Sequence, residues 1–141
     1  MSQTLVEIEK GIAAGEPISA AAIRNARERR TAQDVLVVLD DDPTGTQSVY
    51  DLPILTSWHV DDFLWALRKA PPAIYVLTNS RSLAPDDAAR INQKVITAAE
   101  EAGVLAGLKL TFVSRSDSTL RGHFPLETDT IATALSRRGV Q

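Results

Sequence analysis

Three times along this chain a short apolar run breaks off into a polar loop at the same point in the pattern. Val35-Leu36-Val37-Val38-Leu39 ends in Asp40-Asp41-Asp42-Pro43-Thr44-Gly45-Thr46-Gln47. Ala73-Ile74-Tyr75-Val76-Leu77 ends in Thr78-Asn79-Ser80-Arg81. Lys109 to Val113 ends in Ser114-Arg115-Ser116-Asp117-Ser118-Thr119-Leu120-Arg121-Gly122-His123. The runs are too short for buried helices, and the first is continuously apolar and rich in valine, as suits a strand covered on both faces. Helical patterns lie between them. Asp61 to Lys69 would turn Phe63, Leu64 and Leu67 inward. After Pro85, which suits a first helical turn, Ile91, Val95, Ala99 and Ala102 form an apolar stripe with Gly103 as the expected stop. Pro125 opens a last helix with Phe124, Ile131 and Leu135 on one face. Leu52 to Thr56 is a weaker strand pattern. Alternation of strand, loop and helix predicts an α/β fold, a largely parallel sheet with helices on both faces.

The chain ahead of the first run reads differently. In residues 3–30, Leu5, Ile8, Ile12 and Ala13 share one helical face, and Gly15 and Pro17 interrupt it. Ser19 is placed to cap a second helix through Ile23 to Arg30. The division expected is therefore a helical extension over 1–33 and an α/β domain over 34–141.

Composition narrows the chemistry. With no cysteine, disulfides, thiolate metal sites and cysteine nucleophiles are excluded. A net charge of −3 argues against nucleic acid as a partner, because phosphate backbones call for a basic face. The longest unbroken aliphatic run is Val35 to Leu39, far short of the ~20 residues that span a bilayer. Residues 1–30 lack the apolar core of a secretory signal, and a cytoplasmic protein with no membrane partner is the expectation.

The position of the polar loops carries the functional signal. All follow the C-terminal ends of strands, and in open α/β sheets ligands bind in the crevice outside those ends. Asp40, Asp41 and Asp42 repel one another, so Mg²⁺, a buried arginine or ligand hydroxyls must offset their charge. Gly45 permits close backbone approach, and Thr44 and Thr46 add hydroxyls. The second loop offers Asn79, Ser80 and Arg81; the third offers Arg115, Asp117, Ser118 and Arg121. Arginines among hydroxyls and amides suit an anionic polyol. His123 lacks a companion at metal-ligand spacing and reads as structural. Glycine loops for phosphates or dinucleotides and a nucleophile elbow are all missing.

Asp41-Asp42-Pro43-Thr44-Gly45, Thr78-Asn79-Ser80-Arg81 and Ser114 to His123, in that order, resemble the N-terminal, substrate-binding domain of the four-carbon acid sugar kinases. The resemblance covers about residues 34–135. It implies a two-domain plan in which this α/β domain holds a threonate- or erythronate-like acid and a C-terminal domain binds ATP with Mg²⁺. Arg81, Arg115 or Arg121 would meet the carboxylate, and Asp41, Asp42 or Asp117 the hydroxyls. Asp42 is the residue assigned to accept the proton of the attacking hydroxyl. Thr44, Gly45, Asn79, Ser80 and Ser118 complete the expected ligand shell.

The ATP-binding part has no counterpart in these residues. A truncated chain or an incomplete domain is therefore expected, binding no ATP or Mg²⁺ by itself. Self-association through an uncovered sheet surface is expected with it. A shorter pattern, Asp40-x-Asp42-x-Thr44 with Thr78 ending the next strand, resembles haloacid-dehalogenase-like phosphatases. There Asp40 would be the nucleophile and Asp42 the acid or base beside Mg²⁺. A non-catalytic binding module is the third alternative.

Overall fold

A computed structural model describes residues 18–29, 34–117 and 121–137. The chain separates into two compact units, Met1–Thr31 and Ala32–Gln141. In the first, α1 (Ala20–Arg29) is described. The Ser19 hydroxyl accepts from the Ala22 N–H at 3.1 Å, the cap that the sequence predicts. The expected helix over Leu5 to Ala13 lies outside the described residues.

The second unit contains β1 (Asp34–Asp40), β2 (Ile54–Leu55), α2 (Val60–Leu67), β3 (Ala73–Leu77), α3 (Pro85–Ala106), β4 (Lys109–Arg115) and α4 (Leu126–Ser136). Its sheet is wholly parallel, in the order β2-β3-β1-β4. The α/β character expected from the alternating pattern is what is found. Register explains why the polar loops meet. Asp40 at the end of β1 lies level with Leu77 of β3 and with Arg115 of β4, so three loops leave the sheet side by side.

One parity of the strands builds the core. Val35, Val37 and Leu39 of β1, Ile74 and Val76 of β3, and Leu110 of β4 pack with Phe63 and Leu67 of α2, Val95, Ile96 and Ala99 of α3, and Ile131 of α4. Burying an aliphatic or aromatic side chain of this kind contributes about 1.5–3 kcal/mol. All three helices thus cover one sheet face. The steps β2 to β3 and β3 to β4 run in the same direction across the sheet, and right-handed crossovers place α2 and α3 on the same side. The expectation of helices on both faces is corrected: among the described residues of this unit, the other face carries no α-helix. At its strand-end edge lie the 3-10 turn Pro43–Ser48 and the side chains of Asp40 and Arg115.

Two expectations about helix ends are corrected. Gly103 does not stop α3, which runs to Ala106 and ends at Gly107 in the left-handed region, φ 66°. Gly103 serves packing instead: a Cβ there would lie 2.9 Å from Cγ of Leu110. Phe124 does not share a buried face with Ile131, since it precedes α4 and is 61% exposed.

Candidate functional site at the strand ends

The first loop begins in the core. Asp40 is fully buried, and its Oδ1 accepts from Arg115 Nη1 at 3.1 Å and from the Asp42 N–H at 3.4 Å. Gly45 closes over this pair. A Cβ on Gly45 would stand 2.0 Å from Asp40 Oδ2 and 2.6 Å from Arg115 Cζ, so any other residue would force the pair or the turn to shift. The close approach expected of Gly45 is therefore made to an ion pair of the chain itself. Burial raises the Asp40 pKa above the ordinary 3.8, although Arg115 opposes the shift. Asp40 Oδ2 is buried without a hydrogen-bond partner.

Arg81 reaches in from the second loop and closes the first. Its Nε donates to Asp41 Oδ2 at 3.1 Å and its Nη2 to Asp41 Oδ1 at 3.0 Å, the two-pronged geometry that makes arginine selective for carboxylates. Its Nη1 donates to Asp42 Oδ2 at 3.0 Å. From the third loop the Asp117 N–H donates to Asp41 Oδ2 at 3.2 Å. The three adjacent carboxylates are thus offset by two arginines, Arg115 for Asp40 and Arg81 for Asp41 and Asp42. Asp42 also caps the 3-10 turn: its Oδ1 accepts from the Thr44 N–H at 2.8 Å and from the Thr44 hydroxyl. These Thr44 bonds, hydroxyl first, hold the Asp42 carboxyl below 3.8.

The crevice is small, about 150 Å³, and is lined by Asp41, Asp42, Pro43, Asn79, Arg81 and Ser82. Asn79 takes the left-handed conformation at φ 50°, which asparagine tolerates better than most residues, and so turns the chain at the end of β3. Of the two aspartates here, Asp41 has a side chain only 2% exposed, whereas that of Asp42 is 23% exposed. Asp42 is therefore the carboxylate that a ligand in the crevice can meet.

The other expected site residues fall in different places. Arg115 spends one nitrogen on Asp40 and remains 46% exposed beside the loop. Arg121 points outward, 74% exposed, with Nε 3.4 Å from Asp117 Oδ2. Ser80 does not reach the crevice: it is fully buried and its hydroxyl bonds to Glu127 and to Thr78. Ser118 lies outside the described residues. The phosphatase pattern needs Asp40 to face a phosphate, and the Gly45 backbone covers that carboxylate.

Two buried polar residues beside the site were missed in the sequence, and the signal that could have found them is a polar residue on an apolar helical stripe. Glu127 and Asn92, both buried, sit on α4 and α3 and bond to each other at 3.3 Å. Each shares a helical face with core residues, Asn92 with Ala88 and Val95, Glu127 with Ile131. His123, read as structural, brings its Nε2 to the Ser80 carbonyl at 3.1 Å.

Residues 36–140 match the model of a family described as the sugar-binding N-terminal domain. The chain belongs to this family. The match takes in all three strand-end loops and the helices that support them. No curated protein matches the chain, and no solved structure does. A sugar-binding domain implies a small-molecule partner, in keeping with a crevice of this size. Among the described residues, no helix is long and apolar enough to cross a membrane.

Proposed function

We propose that this sugar-binding domain is the substrate-holding part of a kinase that phosphorylates a hydroxyl of a four-carbon sugar acid. The observation that carries the reading is the division of labour at the strand ends. Arg81 is committed to holding Asp41 and Asp42, which leaves Asp42 ionised at the crevice wall, with the half-exposed Arg115 outside the lining but near enough to act on its charge. Asp42 would accept a hydrogen bond from a ligand hydroxyl and orient it for attack, the part an aspartate plays in phosphoryl transfer. The exposed nitrogens of Arg115 would meet the carboxylate of the acid. Asn79 and the backbone of the Asp42–Pro43 turn complete the shell.

The kinase reading also implies ATP and Mg²⁺. The described acidic side chains do not assemble a donor set for the ion. Asp40 and Asp41 are paired with arginines, Asp42 is shared between Arg81 and Thr44, and no group of three ligating side chains converges elsewhere among the described residues.

The test is a titration of the full chain with threonate, erythronate and the neutral four-carbon polyol threitol, followed by NMR and calorimetry. The acids should shift the signals of Asp42, Asn79 and Arg81. Replacing Arg115 by Ala should weaken the acids by about tenfold or more and leave threitol unchanged, because one charge-assisted contact is lost. Failure of every acid to shift the crevice signals would sink the proposal.

A further inference from the structure

The least expected group near the site is a buried carboxylate with no cation beside it. Glu127, in the first turn of α4, is 3% exposed, and among the described residues no arginine, lysine or histidine forms an ion pair with it. It accepts instead from the Ser80 hydroxyl and from Asn92 Nδ2 at 3.3 Å. Asn92 is itself 1% exposed and tied to the Ala88 carbonyl at 3.0 Å.

Ser80 is where these bonds converge. Its hydroxyl lies 3.0 Å from that of Thr78, which in turn donates to the Asp40 carbonyl at 3.0 Å. Its own carbonyl accepts from the Leu83 N–H at 3.0 Å and from His123 Nε2 at 3.1 Å. The next residue is Arg81, which leaves the short turn Ser80–Ser82 to grip Asp41 and Asp42. Burying a carboxyl group costs free energy that an apolar side chain of the same volume would not. A carboxylate kept at this place does what an apolar group cannot: it fixes the direction of one hydroxyl.

We propose that Glu127 is a positioning residue for the crevice, acting through Ser80 to set the guanidinium of Arg81. The start of α4 then governs the geometry of a loop 47 positions away in sequence. The inference does not depend on which ligand the crevice takes.

The Arg81 Nε–H signal in ¹⁵N NMR of the full chain reads this directly, since that proton is bonded to Asp41. It is assigned by its loss in Arg81→Lys. In Glu127→Ala and in Ser80→Ala the signal should shift and exchange with solvent about tenfold faster or more, the scale of one charge-assisted hydrogen bond. Core amides such as Val37 and Ile74 should keep their protection. Glu127→Gln retains an acceptor oxygen for the Ser80 hydroxyl and should restore the signal. Ser80→Ala with Glu127→Ala should be no worse than Glu127→Ala alone, because the pair acts as one link. An unmoved Arg81 Nε–H in folded Glu127→Ala overturns the proposal. Should that variant not fold, an unmoved signal in Ser80→Ala, a loss of a single oxygen, overturns it equally.

Discussion

The helix-covered face of the sheet and its strand-end edge use the same strands and are held together in different ways. On the covered face, Val37, Ile74, Val76 and Phe63 lose contact with water among many apolar neighbours. No one partner is essential, and the energy follows the area buried. At the edge, each carboxylate depends on a particular residue from another loop, Asp40 on Arg115 and Asp41 and Asp42 on Arg81, and Asp42 depends also on Thr44 of its own loop. The core tolerates changes of shape at a cost in stability. The edge tolerates few changes at all, and its failures should appear as lost geometry more than lost folding.

The largest effect expected on the core side is Phe63→Ala. Phe63 is 0% exposed at the centre of the packing of α2 against the sheet. Its truncation should cost about 3–5 kcal/mol in denaturant unfolding. If the two regions are separable, the Arg81 Nε–H signal of the folded fraction should not move. A moved signal would mean that core packing, and not the loops, sets the edge.

Gly45→Ala tests the edge with a single methyl. The added carbon would lie on Asp40 Oδ2 and Arg115 Cζ, so the ion pair or the 3-10 turn must give way, at about 1–3 kcal/mol. Gly107→Ala is the matched control. There φ is 66° but nothing lies within 4 Å, and the cost should be the left-handed penalty alone, about 1–2 kcal/mol. The variants separate by readout: Gly45→Ala should displace Arg115 and weaken any anionic ligand, and Gly107→Ala should not. Equal loss of ligand binding in both would break the distinction drawn between edge and scaffold.

The contrast also explains what could be read in the sequence. Strands at 34–40, 73–77 and 109–115, with helices between them, follow from apolar runs and periodicity, which are local properties. The meeting of three loops follows as soon as the sheet is parallel. The pairings themselves were not legible. Arg81 as the clamp of Asp41 and Asp42, and Arg115 as the partner of Asp40, depend on register and side-chain reach over 39 to 75 positions. By sequence alone Arg81, Arg115 and Arg121 are equivalent candidates for a ligand carboxylate. Ser80 looked like a ligand contact because hydroxyls in loops usually face outward, and it turned inward because Glu127 on a distant helix accepts from it. Gly103 shows the same limit: it fits a helix stop by composition, yet the helix runs on to Gly107 and Gly103 packs closely against Leu110.

A pH series probes the edge more gently. Burial raises the Asp40 pKa, so the folded state holds that proton more tightly than the unfolded chain. The stability this contributes is complete below the ordinary 3.8 and is lost as pH rises through the raised value. Asp42 and Asp62 work in the opposite sense. The Thr44 hydroxyl lowers the first, and the His59 N–H, with the Ser57 hydroxyl, lowers the second. Their contributions are present above 3.8 and disappear as pH falls through the depressed values. Asp40→Asn removes one limb. Its stability relative to the parent should therefore improve as pH is raised from about 4, the unperturbed carboxylate range. Urea midpoints that run parallel in the two proteins across that range would show that Asp40 is not the group responsible.

The smallest effect expected comes from an arginine that looks equally well paired. Arg90 contacts Asp87 three residues earlier on α3, but the two side chains are 73% and 46% exposed. Water and salt screen such a pair, and the long side chain loses freedom in forming it, so Arg90→Ala should cost at most about 0.5 kcal/mol. Arg81→Ala removes a guanidinium from Asp41, whose side chain is 2% exposed; Oδ1 loses its Arg81 donor and Oδ2 keeps only the Asp117 N–H. That should cost about 1–3 kcal/mol and collapse the crevice signals together. A loss in Arg90→Ala as large as in Arg81→Ala would mean that burial of the acceptor is not what distinguishes the edge from the surface. The value of Arg81 would then have to be sought in the charge of the loops as a whole.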